Sequence, residues 1–230
     1  MKDILIGERY VGKLGKSLEN QGFLPIPVPD NPYLDSRLAC HVDLSVIKLE
    51  ENRLILAKYL EESQLVNYLT KKGYKVIISD KKQDSVYPGD TNLCACIAGR
   101  HMIHNYKNTD PAILANSNYN KINIKQSYSK CSICVVADDA IITADSAVAA
   151  AAAEKGIDVL RIAPGGIILD GFNEGFIGGA SFSTKDIIYF TGMIDRINLT
   201  EIEQFISKPG KTTVYLTNDQ IFDIGGAIVL

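Results

Sequence analysis

His41 and Asp43 are the first residues whose types and spacing could support chemistry. They are two residues apart, and on a strand this spacing places both side chains on one face. A histidine titrates near neutral pH, and a neighbouring carboxylate orients its ring and stabilises its charged form. The spacing therefore predicts an acid/base pair. The alternative is that both residues are solvated at the end of a strand.

Cys131 is a candidate nucleophile. It follows Lys130, whose charge would lower the pKa of the thiol and raise its thiolate fraction, as nucleophilic attack requires. On a strand, alignment of Cys131 with Val42 and Thr91 would turn its side chain away from the predicted site, and a shift of one residue would reverse its direction. Cys40 is a second candidate, and a buried inert thiol is the alternative for both.

Asp43 and Asp90 are candidate ligand-binding carboxylates. Two carboxylates at such positions could pair with a positively charged group, so the predicted small-molecule ligand is cationic. Asn92 adds a neutral acceptor two residues after Asp90. Because Asp90 follows Pro88-Gly89, turn formation is an equally good explanation for it.

The cysteine spacing does not predict a metal site. Cys131 and Cys134 lie three residues apart, so they face opposite sides of a strand, and no second pair follows at a matching spacing. Cys94 and Cys96 share a face, but their apolar neighbours are typical of a buried strand. The loop 164–181 holds six glycines but does not lead directly into a helix, which disfavours a nucleotide-binding loop. We therefore predict neither metal nor cofactor.

The composition narrows the class of protein. The chain has 230 residues, of which 46% are hydrophobic and 22% charged, with a formal net charge of -3. This apolar content is ample for a core and excludes disorder. The absence of a long apolar run or signal core predicts a cytoplasmic protein with no membrane contact. Scattered basic residues argue against nucleic acid, and an odd count of five cysteines indicates thiols.

Hydrophobic periodicity predicts a repeated unit of strand, strand, helix and strand, recurring roughly every 40 to 50 residues. The predicted first strands are 42–49, 92–98, 131–137 and 180–184, and the second strands are 1–7, 52–58, 99–105, 139–145 and 185–192. The predicted helices are 9–21, 63–72, 110–119, 146–155 and 199–208, and the third strands are 24–29, 74–79, 120–126, 157–163 and 212–217.

The first unit lacks its first strand, but the chain ends on the strand-like segment 223–230. Pairing of this segment with residues 1–7 would complete a fifth unit, close a ring and remove two open sheet edges. The result would be a single α/β domain over residues 1–230. A doubly wound sheet is the alternative, but two strands between successive helices argue against it.

Five such units resemble the pentein, or guanidino-group-modifying-enzyme, fold, a five-bladed β/α propeller. The segments 128–136, 140–145, 156–162 and 171–181 resemble an uncharacterised bacterial family assigned to it. Arginine deiminase, agmatine deiminase, dimethylarginine dimethylaminohydrolase and amidinotransferases share this fold. It also serves a ribosome anti-association factor without enzymatic activity.

The resemblance implies a site at the openings of the first strands, which surround a central channel in pentein enzymes. It implies catalytic roles for Cys131, His41 and Asp43, and substrate-binding roles for Asp90, Asn92, Gly178, Gly179, Gly225 and Gly226. Deiminases normally carry their cysteine after a glycine-rich turn in the last unit. Here no cysteine follows Gly226, which departs from the pattern.

Two functions follow from these observations. The first is a hydrolase, deiminase or amidinotransferase that acts on an amidino or guanidino group through a cysteine nucleophile. The second is a catalytically inactive binding or protein-interaction module that retains the fold.

Overall fold

The strands form five separate three-stranded sheets in the computed structural model, which describes residues 1–50 and 52–230. The strands are β1 (Lys2–Gly7), β2 (Phe23–Val28), β3 (Val46–Lys48), β4 (Arg53–Leu56), β5 (Lys75–Ile78), β6 (Cys96–Ala98), β7 (His101–His104), β8 (Asn120–Asn123), β9 (Ile133–Ala137), β10 (Ala140–Thr143), β11 (Asp158–Arg161), β12 (Ser181–Ser183), β13 (Ile187–Phe190), β14 (Thr212–Tyr215) and β15 (Ile228–Val229). The helices are α1 (Glu8–Asn20), α2 (Val42–Ser45), α3 (Gln64–Lys71), α4 (Pro111–Ala115), α5 (Ser129–Ser132), α6 (Ser146–Ala153) and α7 (Arg196–Ser207), with a 3-10 turn at Lys58–Leu60.

Every sheet has the same topology. Its middle strand pairs antiparallel with the first strand and parallel with the third, in the orders β15-β1-β2, β3-β4-β5, β6-β7-β8, β9-β10-β11 and β12-β13-β14. A helix joins the two parallel strands, as a parallel connection requires. The predicted α/β class and the strand-strand-helix-strand unit are confirmed. The two ends of the chain pair in one sheet, with Ile4 opposite Val229 and Leu5 opposite Ile228.

Aspartates begin three of the connecting helices. Asp110, Asp145 and Asp195 each accept hydrogen bonds from backbone N–H groups of the first turn of α4, α6 and α7, which satisfies donors that the helix leaves unpaired. The alanine-rich α6 packs Val148 and Ala152 against Ile133 and Ile141, because small side chains let a helix approach its sheet closely. Among the described residues, no helix is both long and apolar enough to cross a membrane.

Two predicted first strands begin as single helical turns. The segments α2 and α5 occupy positions that the apolar pattern assigned to strands, and β3 and β9 start only after them. Short polar side chains favour such turns because they bond to nearby backbone; the Ser132 hydroxyl, for example, donates to Ser129 O at 3.2 Å. The strand prediction is therefore wrong at 42–45 and 131–132. The alternation argument for His41, Asp43 and Cys131 does not apply.

Candidate functional site

His41, Asp43 and Cys131 form a buried cluster at the two helical turns. Each side chain has one nitrogen, oxygen or sulfur atom that lies within 4.8 Å of such an atom in the other two. The exposed fractions of His41, Asp43 and Cys131 are only 2%, 3% and 3%. His41 is the residue before α2 and Asp43 lies inside it, while Cys131 lies in α5. The Cys131 Sγ donates to Asp43 Oδ2 at 2.9 Å. The thiol proton of Cys131 can therefore pass directly to the carboxylate of Asp43.

Asp223 completes the cluster from the last unit. Its Oδ1 lies 3.9 Å from the Nδ1 atom of His41, and its carboxylate also accepts from the backbone N–H groups of Phe176 and Gly225 at 2.9 and 2.8 Å. The sequence reasoning missed Asp223. Its place two residues before Gly225-Gly226 is the signal that could have found it, because an aspartate there can fix a turn by bonding to the backbone.

Two buried polar atoms of the cluster lack a hydrogen-bond partner within the described part of the chain. The Nε2 atom of His41 and the Oδ1 atom of Asp43 have no hydrogen-bond partner among the described residues. Buried polar atoms without a partner are uncommon because each costs free energy, so such atoms are candidates for contact with a ligand or a water molecule.

Burial controls the protonation of the cluster. It raises the pKa of Cys131 well above the usual value, and the hydrogen bond with Cys94 and the charge of Asp43 add to this shift. It also raises the pKa of Asp43 to about 6, against the opposing charges of His41 and Lys130. The predicted lowering of the Cys131 pKa by Lys130 is therefore wrong. At neutral pH the thiol keeps its proton, and Asp43 is the base beside it.

Lys130 places a positive charge beside the cluster. Its Nζ donates to Gly178 O at 3.2 Å. Burial works against this charge, but Cys96 and Asp43 raise the pKa of Lys130 above its usual value. The ammonium group therefore stays charged at neutral pH.

The predicted glycines allow the backbone to approach the cluster. A Cβ atom on Gly178 would lie no more than 2.6 Å from three backbone carbonyl oxygens, those of Lys130, Cys131 and Ile133. Gly225 has a φ of +70°, and a side chain there would collide with His41. The remaining two glycines take part through backbone hydrogen bonds: Gly179 N donates to Cys131 O at 2.8 Å, and Gly226 N donates to Gly179 O at 2.7 Å.

A cavity of about 380 Å³ lies beside the cluster and is lined by the first strand, or the turn before it, of all five sheets. Its inner end consists of residues at or before the starts of these strands: Asp43, Lys130, Ser181 and Gly225. Its outer end consists of more exposed residues, including Lys48, Glu50, Tyr119 and Ser183. Cys131 is not among the described lining residues. It lies one hydrogen bond behind Asp43 and packs with Leu34, Leu38, Leu44 and Leu169.

Asp90 and Asn92 bond elsewhere. Asp90 Oδ2 accepts from the hydroxyl of Tyr128, and burial raises the pKa of this carboxyl. Asn92 Nδ2 donates to Asp110 Oδ2 at 2.9 Å, which ties it to the residue that begins α4. Neither side chain lies among the described residues that line the cavity. Their substrate-binding roles remain predictions.

The cluster is also a donor set that could hold a metal ion. A thiolate, an imidazole and a carboxylate are the ligands that zinc prefers in proteins, and local spacing could not reveal them because they come from two units. Lys130 argues against a dication here, since it places a like charge next to Asp43.

Comparisons with known proteins identify the fold. A model of a protein family, described as a family of unknown function (DUF6873), matches residues 5–228. No curated protein matches the sequence.

The solved structures that resemble the chain include structures of dimethylarginine dimethylaminohydrolase and of agmatine deiminase. A dimethylarginine dimethylaminohydrolase from Pseudomonas aeruginosa in complex with citrulline has a TM-score of 0.59 at 11% identity, covering 100% of this chain and 99% of that one. A second structure of such an enzyme, an adduct with S-methyl-L-thiocitrulline, has a TM-score of 0.61 at 10% identity, with the same coverage. An agmatine deiminase from C. jejuni has a TM-score of 0.51 at 10% identity, covering 94% and 87%. At these identities the likeness shows the pentein fold alone.

Proposed function

Since the chain belongs to the DUF6873 family, a family of unknown function, and has the pentein fold, we propose that it cleaves or transfers an amidino or related carbon–nitrogen group. Cys131 is the nucleophile, and the reacting group lies at the inner end of the cavity. The observation that carries this proposal is the cluster itself: Cys131 donates to Asp43 at 2.9 Å, with His41 within 4.8 Å of both.

The arrangement supports a two-step reaction. Asp43 accepts the thiol proton, and the sulfur of Cys131 forms a bond to the central carbon of the group. The carbon–nitrogen bond then breaks, and the leaving amine takes a proton from His41. In hydrolysis a water molecule adds to the sulfur-bound carbon and gives a proton to His41, which restores it. The carbon–sulfur bond then breaks, and the Cys131 sulfur takes its proton back from Asp43; in transfer an amine acceptor replaces the water.

We also propose how the five sheets are arranged. The five sheets are the blades of a single propeller domain, closed by the pairing of β15 with β1. Two observations support this: the terminal strands pair, and first-strand residues from all five sheets line one cavity. The five cysteines are all free thiols, which supports a cytoplasmic location, because reducing compartments keep thiols unpaired.

A second candidate function is a binding module without catalysis. The burial of Cys131 favours it, since this thiol is 3% exposed and its pKa is raised. Four leucines also pack around it. Such a thiol is protected from solvent, as is typical of structural cysteines.

Covalent labelling tests the choice between these functions. We expect 2-chloroacetamide, a neutral alkylating reagent, to modify Cys131 faster than it modifies a free thiol, because Asp43 removes the proton. The expected rate falls roughly 100-fold in His41→Ala, which lacks the second acid/base group. Intact-protein mass spectrometry against time measures the rate, and peptide mapping identifies the modified residue.

Cys134→Ser is the matched control for this experiment. Cys134 is also a buried thiol, at 1% exposure, and lies three residues away on β9, so its replacement should leave the labelling rate unchanged. Labelling of Cys131 no faster than that of a free thiol contradicts the catalytic proposal. Ligand stabilisation of both the wild type and Cys131→Ser, without turnover, then supports the binding module.

A further inference from the structure

The inner end of the cavity presents the half-buried ammonium of Lys130 and the buried carboxylate of Asp43. We propose that the group bound there is a neutral amide or ureido group on an apolar body, and not a guanidinium or amidinium cation. This inference rests on the proposed function in placing the reacting group at the inner end. It narrows the substrate class of that site, and it replaces the cationic ligand that the carboxylates predict on their own.

Lys130 supplies hydrogen-bond donors that need an acceptor. Within the described residues, Gly178 O is the one acceptor for its Nζ, at 3.2 Å. An ammonium group has three N–H donors, so two remain for a ligand. Lys130 also lines the cavity, which gives a bound group access to these donors. The ligand must therefore offer an oxygen or another acceptor.

Asp43 supplies a hydrogen-bond acceptor that needs a donor. Its Oδ2 accepts from Cys131 at 2.9 Å, while its buried Oδ1 has no described partner. Since Asp43 is 97% buried, with an exposed fraction of 3%, water does not readily satisfy this atom. The ligand must therefore also offer an N–H donor.

Few chemical groups meet both requirements without a net charge. An amide or a urea carries a carbonyl acceptor and an N–H donor on the same carbon, so it can accept from Lys130 and donate to Asp43. A guanidinium has five donors and no acceptor, and its charge would lie beside that of Lys130. A carboxylate would meet Asp43 with a like charge. The neutral group alone pairs with both side chains.

The rest of the cavity sets the character of the ligand body. Beyond the inner end, the lining is mostly apolar: Val46, Ile47, Leu93, Ala95, Val135 and Phe182. A volume of about 380 Å³ is at the small end of ligand pockets. The body is therefore a short alkyl chain or a single ring.

The test compares benzamide, benzamidine and benzoate, which share one shape and differ in charge. Calorimetric titration of the wild type and of Cys131→Ser, which binds without covalent reaction, measures each affinity. We expect benzamide to bind at least about tenfold more tightly than either charged analogue, because each of these leaves either Lys130 or Asp43 unpaired. In Lys130→Met the order should reverse in favour of benzamidine.

Lys211→Met is the control for this substitution. Lys211 also donates to a backbone carbonyl, Thr184 O at 2.8 Å, but it lies outside the described cavity lining, so its loss should keep the order. Tightest binding of benzamidine by the wild type overturns the inference, as does binding of none of the three. The wild-type order decides the question even if Lys130→Met does not fold. Labelling of Cys131 is independent of it, so failure here leaves the proposed function standing.

Discussion

Replacement of Gly178 by alanine is expected to lower the free energy of unfolding by more than about 3 kcal/mol. The new Cβ would lie no more than 2.6 Å from the carbonyl oxygens of Lys130, Cys131 and Ile133. All three are backbone atoms, so no side-chain rotation relieves the contact. Either α5 or the turn before β12 must move. Denaturant unfolding measures the loss, which shows as a lower midpoint at an unchanged slope.

Gly12→Ala is the matched control for this prediction. Gly12 lies in the middle of α1, and a Cβ there meets nothing within 4 Å. Alanine has the higher helix propensity, so this change should stabilise the protein by up to about 1 kcal/mol. If Gly178→Ala lowers the free energy of unfolding by less than about 1 kcal/mol, the close packing of the turn before β12 against α5 is contradicted. We also expect Cys131 labelling to fall in Gly178→Ala, because α5 carries the thiol.

Replacement of Asp43 by asparagine is expected to change both stability and reactivity in a pH-dependent way. Burial raises the pKa of Asp43 from 3.8 to about 6 in the folded protein, so the folded state holds a proton that the unfolded state releases. The resulting stability is fully present below pH 3.8 and is lost as the pH rises through about 6. The loss amounts to about 3 kcal/mol. Asparagine carries no titrating group. Between pH 4 and pH 7 the free energy of unfolding of Asp43→Asn should therefore rise by this amount relative to that of the wild type.

The reactivity of Cys131 should follow the same group. Asp43 can accept the thiol proton only as a carboxylate, so the wild-type labelling rate is expected to rise as the pH passes about 6. In Asp43→Asn this rise should disappear, and the rate at pH 7 should fall roughly 100-fold.

Asp139→Asn is the control for both measurements, because Asp139 is an exposed carboxylate in the turn between β9 and β10. Denaturant unfolding and labelling are measured at pH values from about 4 to about 8, which covers the range in which Asp43 titrates. The wild type and Asp43→Asn are compared in free energy of unfolding and in labelling rate. If both differences stay constant with pH, the assignment of Asp43 as the buried titrating base is contradicted.

The proposed nucleophile comes from a different unit than the deiminase pattern implies. The last unit has no cysteine after Gly226. Instead it contributes Asp223, which lies 3.9 Å from His41, and the glycine turn that packs on it. The unit of β9, β10 and β11 contributes the thiol through α5, which leads into β9. A cysteine, a histidine and carboxylates from different units thus meet at one place.

The sequence by itself determined the repeated unit and the order of its elements. Apolar periods of two and of 3.6 residues are local properties, so β4, α3 and β5 could be predicted without knowledge of their partners. The apolar character of residues 223–230 likewise predicted the pairing with β1, because an exposed apolar strand edge is unfavourable. Helix starts such as Asp195 were less well predicted, since capping depends on which of several polar residues reaches the first turn.

Only the tertiary structure decided how the site is built and charged. Cys131 and Asp43 are 88 residues apart, and their contact depends on the packing of two units, which no local pattern encodes. The prediction that Lys130 lowers the thiol pKa considered one neighbour in sequence, whereas burial dominates and reverses the direction. The strand geometry assumed for His41 and Cys131 gave way to helical turns that bond across units, as Asp43 N does to Gly225 O at 3.1 Å. Desolvation and contacts between units depend on the three-dimensional surroundings of a residue, and these exist only once the five sheets have assembled.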